Sequence, residues 1–249
     1  PTPSIRLSNP MLNFFSDALE EAADEWLIKP MFHYRWNYEA DRREASLRIA
    51  TASVDPGTDP SKVAEMIGAH LMTRREPLGC SDANVELLER YLQEGATRLN
   101  THLQTRPFLF GDQLSAADLG LGSLYYELYS DPTPSTRLRP FSELSAWAQR
   151  CMNPEGLGTG KSESWDSLSA TLRPVLEHEL SAHYLPWARA NAAALASGDG
   201  TPFTVNLGGT DFTQPAQKYP AKSWRMLQEK WAGLAPDTQA SIRGVIGEV

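Results

Sequence analysis

The chain has 249 residues, 41% of them hydrophobic and 22% charged, with a formal net charge of −8. These are the proportions of a globular protein able to bury a core, and the acidic balance argues against nucleic-acid partners, which need a basic face to displace counterions. No apolar run approaches the roughly 18 residues of a membrane span, the opening "PTPSIRLSNP" reads as no signal peptide, and two cysteines, Cys80 and Cys151, fit a reducing, cytoplasmic setting.

Asn9-Pro10 supplies a cap residue followed by proline at the first helical position. Leu12, Phe15, Leu19, Ala22 and Trp26 then keep helical spacing, with Asp17, Glu20, Glu21 and Asp24 on the wet face. Pro30 is expected to kink this helix, because it removes a hydrogen bond and crowds the preceding turn. The aromatic run "MFHYRWNY" continues it until "DPGTDP" breaks the pattern. Asp59-Pro60 restarts a helix through Val63, Ile67 and Leu71, and another begins near Ser81 with a stripe from Val85 to Leu103.

"FLFGDQLSAADLGLG" marks the start of a buried helix. With Ser115 as N-cap, its hydroxyl accepts from the Asp118 N–H while the Asp118 carboxylate reaches back to the Ser115 N–H, a capping box. Leu114 and Leu119 stand where a hydrophobic staple closes, and "LGLGSLYYELY" is apolar on nearly all sides. A Pro-rich loop is expected from Asp131 to Pro140, then a helix with Leu144, Trp147 and Cys151 on one side. Trp165, Leu168, Leu172, Leu176 and Leu180 resume the helical period between Pro174 and Pro186. "FTVNLGGTDFTQ" reads as a short hairpin about Gly208-Gly209, and two final helices carry Trp224, Leu227, Trp231 and Ile242, Val245, Ile246. The fold class is all-α.

Several motifs fail on spacing. "GLGTGKS" is one residue short of a phosphate loop and follows a helix rather than a strand. In "HELSAH" the two histidines, His178 and His183, are five residues apart. On a regular helix that turns them roughly 140° away from each other, so they read as solvated or capping side chains and no metal site is expected. No nucleophile elbow is present, and no catalytic residue is assigned. "MFHYRWNY" is different, since it gathers His33, Tyr34, Arg35, Trp36 and Tyr38 within two turns past Pro30. Tyr34 and Tyr38 share a face with Arg35 beside it, and Tyr125 is the expected wall opposite, giving a site for a flat apolar substrate. The alternative for each of these residues is core packing.

The run "RPFLFGDQLSAADLGLGSLYYEL", followed by "PFSELSAWAQRCMNP", resembles the C-terminal helical domain of cytosolic glutathione S-transferases. The matching positions are Leu109, Gly111, Asp112, Ser115, Ala117 and Asp118, then Leu144, Trp147 and Pro154. The resemblance implies residues 1–9 as an interdomain linker, 10–154 as a transferase-like helical bundle and 155–249 as a helical extension packed on it. It also implies an N-terminal thioredoxin-like domain, absent from this chain, that binds most of the co-substrate glutathione and activates its thiol. This chain then supplies the wall for a small apolar electrophile and much of a homodimer interface. The alternatives are a non-catalytic module of the same fold, used for docking or assembly, and an unrelated all-α ligand-binding protein.

Overall fold

Asn9 opens helix α1 (Pro10–Ala22), its side chain accepting from the N–H groups of Met11 and Leu12. The computed structural model describes residues 4–153, 160–198 and 200–249. Pro154, the first three residues of the expected linker and Gly156–Thr159 of the "GLGTGKS" stretch lie outside the described residues.

Pro30 does not break the helix that it interrupts. The chain widens into a π-helical stretch, Ala23–Leu27, and then resumes as α2 (Ile28–Asn37). The N–H of Ile28 bonds back to the carbonyl of Ala23, five residues earlier. Pro30 thereby falls in the first turn of a restarted helix, where its missing N–H costs least. The same device appears between α9 (Trp165–Leu176) and α10 (Leu185–Ser197). There a second π-helical stretch, Glu177–Tyr184, stands just ahead of Pro186.

The continuous helix expected through "MFHYRWNY" ends at Asn37, because Tyr38 adopts an extended conformation before α3 (Glu39–Ser53). Helix α4 (Ser61–Met72) follows, with Asp59 accepting from the backbone and hydroxyl of Ser61, and then α5 (Val85–Leu103) buries its leucine stripe. The Asp131–Pro140 segment, expected as a loop, contains α7 (Pro132–Leu138). Its prolines occupy the first turn, where a fixed φ favours helix, so proline content misled where proline position decides. Helix α8 (Ser142–Met152) buries Leu144, Trp147 and Cys151 together, as their spacing predicts.

Helix α6 (Ala116–Tyr129) carries the capping box in full. Ser115 N donates to Asp118 Oδ2 at 2.9 Å, and Asp118 N to Ser115 Oγ at 3.4 Å. The other carboxylate oxygen, Oδ1, accepts from Leu109 N at 2.8 Å and from Trp147 Nε1 at 2.9 Å. Burial pushes this carboxyl up, while those hydrogen bonds oppose the shift. The staple and the all-round apolar packing need correction, since Leu119 and Tyr126 are exposed while Leu121, Tyr125 and Leu128 face the core. Gly111, with φ of 111°, lets residues 161–163 pair beside it, because a Cβ there would stand 3.0 Å from Glu163 N.

A two-stranded antiparallel hairpin, β1 (Phe203–Leu207) and β2 (Thr210–Gln214), is the only sheet among the described residues. It buries Leu207 and Phe212, and α11 (Lys218–Ala232) and α12 (Pro236–Ile246) complete the chain. One hydrophobic core runs from Leu7 to Ile246, so the helices after residue 160 share it with those before 153. The described structure is mostly helical.

Replacing Ser115 by Ala is expected to cost about 1 kcal/mol, the usual loss for an N-cap. Asp118→Ala should cost about 3 kcal/mol, because three further buried donors lose their acceptor. Urea midpoints of both variants check this, and equal small effects would remove Asp118 from its central role.

Candidate functional site

The break at Tyr38 leaves Tyr34 and Tyr38 stacked, with ring centroids 5.7 Å apart and planes 15° from parallel. Tyr34 is buried and Tyr38 partly so. Both turn toward Glu89 of α5, which accepts from the Tyr38 phenol and, at 3.2 Å, from His33 Nε2. Arg137 of α7 closes the group, 3.3 Å from Glu89 and with its guanidinium 5.9 Å from the Tyr34 ring centre. Burial alone would raise the Glu89 carboxyl, but Tyr38, His33 and Arg137 together hold it below the usual range. Burial likewise outweighs Glu89 at His33 and lowers that imidazole, which is neutral at neutral pH. The arrangement is a half-open polar cluster on an aromatic pair.

Arg35 and Tyr125, expected at the same site, stand elsewhere. Arg35 is committed to ion pairs with Asp131 at 2.6 Å and Glu127 at 2.5 Å, and Arg48 reaches the other oxygen of Asp131 at 2.7 Å. Asp131 is only 1% exposed, so Arg35 neutralises a buried charge instead of presenting a guanidinium to a ligand. Tyr125 is fully buried against Trp147, facing α5 at Gly95. Tyr34 and Tyr38 do come together, through the break after Asn37 instead of along one helix face, and Arg35 and Tyr125 stand apart from them.

A groove of about 710 Å³ begins at Glu39, one residue beyond Tyr38, and runs between α3 and α4. Leu47, Ala64, Gly68, Ala69 and Met72 give it apolar walls, and Arg42, Arg43 and Glu65 add charge. Its size lies within the range of small-molecule sites. The Tyr38 ring turns the other way, to Glu89, so the aromatic pair flanks this groove without lining it. The outer side of α4 exposes a second apolar patch of Val63, Met66, Ile67 and Leu71 with His70.

The two histidines of "HELSAH" also differ from expectation. They are buried, and their rings meet at 4.7 Å. In a π helix each residue turns about 80°, so residues five apart return to nearly the same face. Pro186 just beyond them was the sequence sign of a widened turn. Burial lowers both imidazoles, His178 to about 3. His178 Nε2 donates to the carbonyl of Tyr91, and His183 Nδ1 to that of His178. No group of three His, Cys, Asp or Glu among the described residues is placed to hold a metal ion. Cys80 and Cys151 are both buried, and burial pushes the Cys80 thiol up to about 12. Neither supplies a thiolate.

Comparison with known protein families, with curated proteins and with solved structures finds no match to this chain. No helix among the described residues is long and apolar enough to cross a membrane.

Arg35→Ala should destabilise the protein by about 3 kcal/mol, since it leaves the buried Asp131 carboxylate with only the half-exposed Arg48 as its ion pair. Tyr38→Phe removes one partly buried hydrogen bond and should cost about 1 kcal/mol. Thermal or urea unfolding of the two variants checks this order, and a smaller loss for Arg35→Ala would return Arg35 to the list of ligand-facing groups.

Proposed function

We propose that this chain is the helical, electrophile-binding portion of a glutathione S-transferase. The supporting observation is the buried Asp118. Of the nine positions on which the resemblance rests, Leu109, Ser115 and Trp147 donate hydrogen bonds to the carboxylate of a fourth, Asp118. A motif whose members share one buried acceptor is a structural unit, which makes chance agreement with the transferase pattern harder to arrange.

In this reading the groove between α3 and α4 takes the small apolar electrophile, with Leu47 and Met72 contacting it and Arg42 or Arg43 meeting a polar substituent. Tyr34 and Tyr38 stiffen the near end of the groove through their stack. Glutathione is bound mainly by an N-terminal thioredoxin-like domain outside this chain, which activates the thiol. The helical portion then acts by holding the electrophile in the path of the thiolate. The setting is cytoplasmic and the assembly a homodimer. A second reading, a docking module of the same fold, draws support from α4, where Met66 is 72% exposed beside other apolar side chains.

Conjugation of glutathione to a chlorodinitrobenzene tests the proposal. The full-length protein should catalyse it and the 249-residue chain alone should not. Leu47→Asp should raise KM for the electrophile about tenfold and leave KM for glutathione unchanged, since a hydrophobic wall discriminates by about 1–3 kcal/mol. Absence of activity in the full-length protein overturns the transferase reading. Equal shifts in both constants remove the groove from it.

A further inference from the structure

The interior between α5, α6 and the second π-helical stretch contains polar chemistry that the transferase reading does not use. Glu179 lies there, 1% exposed. One of its oxygens accepts from the Tyr91 phenol, and the other, Oε1, has no hydrogen-bond partner. The Tyr125 hydroxyl, entering from α6, is also unpartnered. Both atoms converge on the space beside Gly95 of α5. A Cβ at that position would stand 3.0 Å from Glu179 Oε1, 3.1 Å from His178 Nε2 and 3.3 Å from Tyr125 Oη. His178 Nε2 is already committed to the Tyr91 carbonyl, which leaves Glu179 and Tyr125 facing each other across the gap that glycine keeps open.

We propose that Glu179 is a proton-operated latch, holding the π-helical stretch Glu177–Tyr184 against α5 and α6 when protonated and loosening it when ionised. Ionised, the carboxylate carries its charge into an apolar interior with the Tyr91 phenol as its one hydrogen-bonded donor, a penalty that the neutral carboxyl escapes. The charged and titratable groups around it are few. Tyr91 and Arg98 face it from α5, Tyr125 from α6 and His178 from its own stretch, while Glu94 and His183 stand one step further, Glu94 acting on the two histidines. No salt bridge among the described residues includes Glu179, and Arg98 acts only through space, its side chain engaged by Glu94. Burial accordingly pushes the carboxyl up to about 7. With the folded value above the ordinary 4.5, the latch is fully engaged below pH 4.5 and is lost as pH rises through about 7.

Two contacts carry the change outward. The Gly208 N–H donates to the Ala182 carbonyl at 3.2 Å, tying the hairpin to the stretch. The ring of Trp26, from the first π-helical stretch, stacks on His183 at 6.0 Å. The latch is independent of the transferase reading and stands or falls by its own experiment.

Hydrogen exchange of the 249-residue chain at pH 6 and pH 8.5, corrected for intrinsic rates, reads it directly in peptides covering residues 177–184. Protection in the wild type should fall about tenfold or more between the two values. Glu179→Gln should show no such fall, and Glu94→Gln should keep it. A flat wild-type profile, or a fall retained in Glu179→Gln, overturns the proposal. Should Glu179→Gln not fold, Tyr125→Phe replaces it. Removing the one hydroxyl able to turn and donate to the carboxylate should move the midpoint to higher pH, and an unmoved midpoint overturns the proposal equally.

Discussion

One buried carboxylate sets the arrangement of the helices around it. Asp118 has no surface exposure, so an ionised side chain there is tolerable only while its acceptor sites are filled. They are filled from three places in the chain: the cap at Ser115, the turn at Leu109 and the indole of Trp147 on α8. Losing any one of these leaves about 1 kcal/mol or more of desolvation uncompensated. The start of α6, the preceding turn and α8 are therefore positioned jointly. Helix α1 joins the same point, since Ala117 N donates to Ser16 Oγ at 3.2 Å. The net gain in stability from such a site is small, and its stronger effect is to disfavour every packing in which the donors are elsewhere.

The two π-helical stretches solve a second constraint in the same way twice. A proline inside a long helix removes one hydrogen bond and crowds the turn before it. Widening the preceding turn by one residue absorbs both effects and lets the helix continue. It also rotates side chains that regular geometry would separate. Trp26 from one stretch and His183 from the other are thereby stacked at the centre of the protein, with Tyr91 against both. The polar interior is a consequence of proline placement.

What could be read from the sequence follows from how local each interaction is. The capping box was legible because Ser115 and Asp118 are three residues apart and their roles follow from backbone geometry alone. The Tyr34–Tyr38 stack was not, since helical spacing brings the two residues to one side but the break after Asn37 is what lays their rings together. Arg35 was not, because its partner Asp131 lies 96 residues away and nothing near Arg35 announces it. The histidines were misplaced by assuming a regular turn per residue through a proline-flanked segment. The groove between α3 and α4 left no periodic signal, since the buried positions of α3 are Asp41, Ala45, Ser46 and Ala50. Small and polar side chains let two helices approach without the apolar stripe that pattern reading depends on.

The buried ionisable groups pull stability in opposite directions along the pH scale. His102 is lowered by burial to about 4 and His178 to about 3, with His33 and His183 lowered in the same sense. Such groups bind fewer protons folded than unfolded, so their contribution is complete above pH 6.5 and is lost as pH falls toward their folded values. Glu25 and Glu179, raised by burial to about 7, bind more protons folded, and their contribution is present below pH 4.5 and lost as pH rises through 7. Between pH 4.5 and 6.5 the two sets act together with opposite slopes. Of these two sets, the histidines alone titrate below that window and the glutamates alone above it. Near neutral pH the interior is therefore already losing the protons of Glu25 and Glu179.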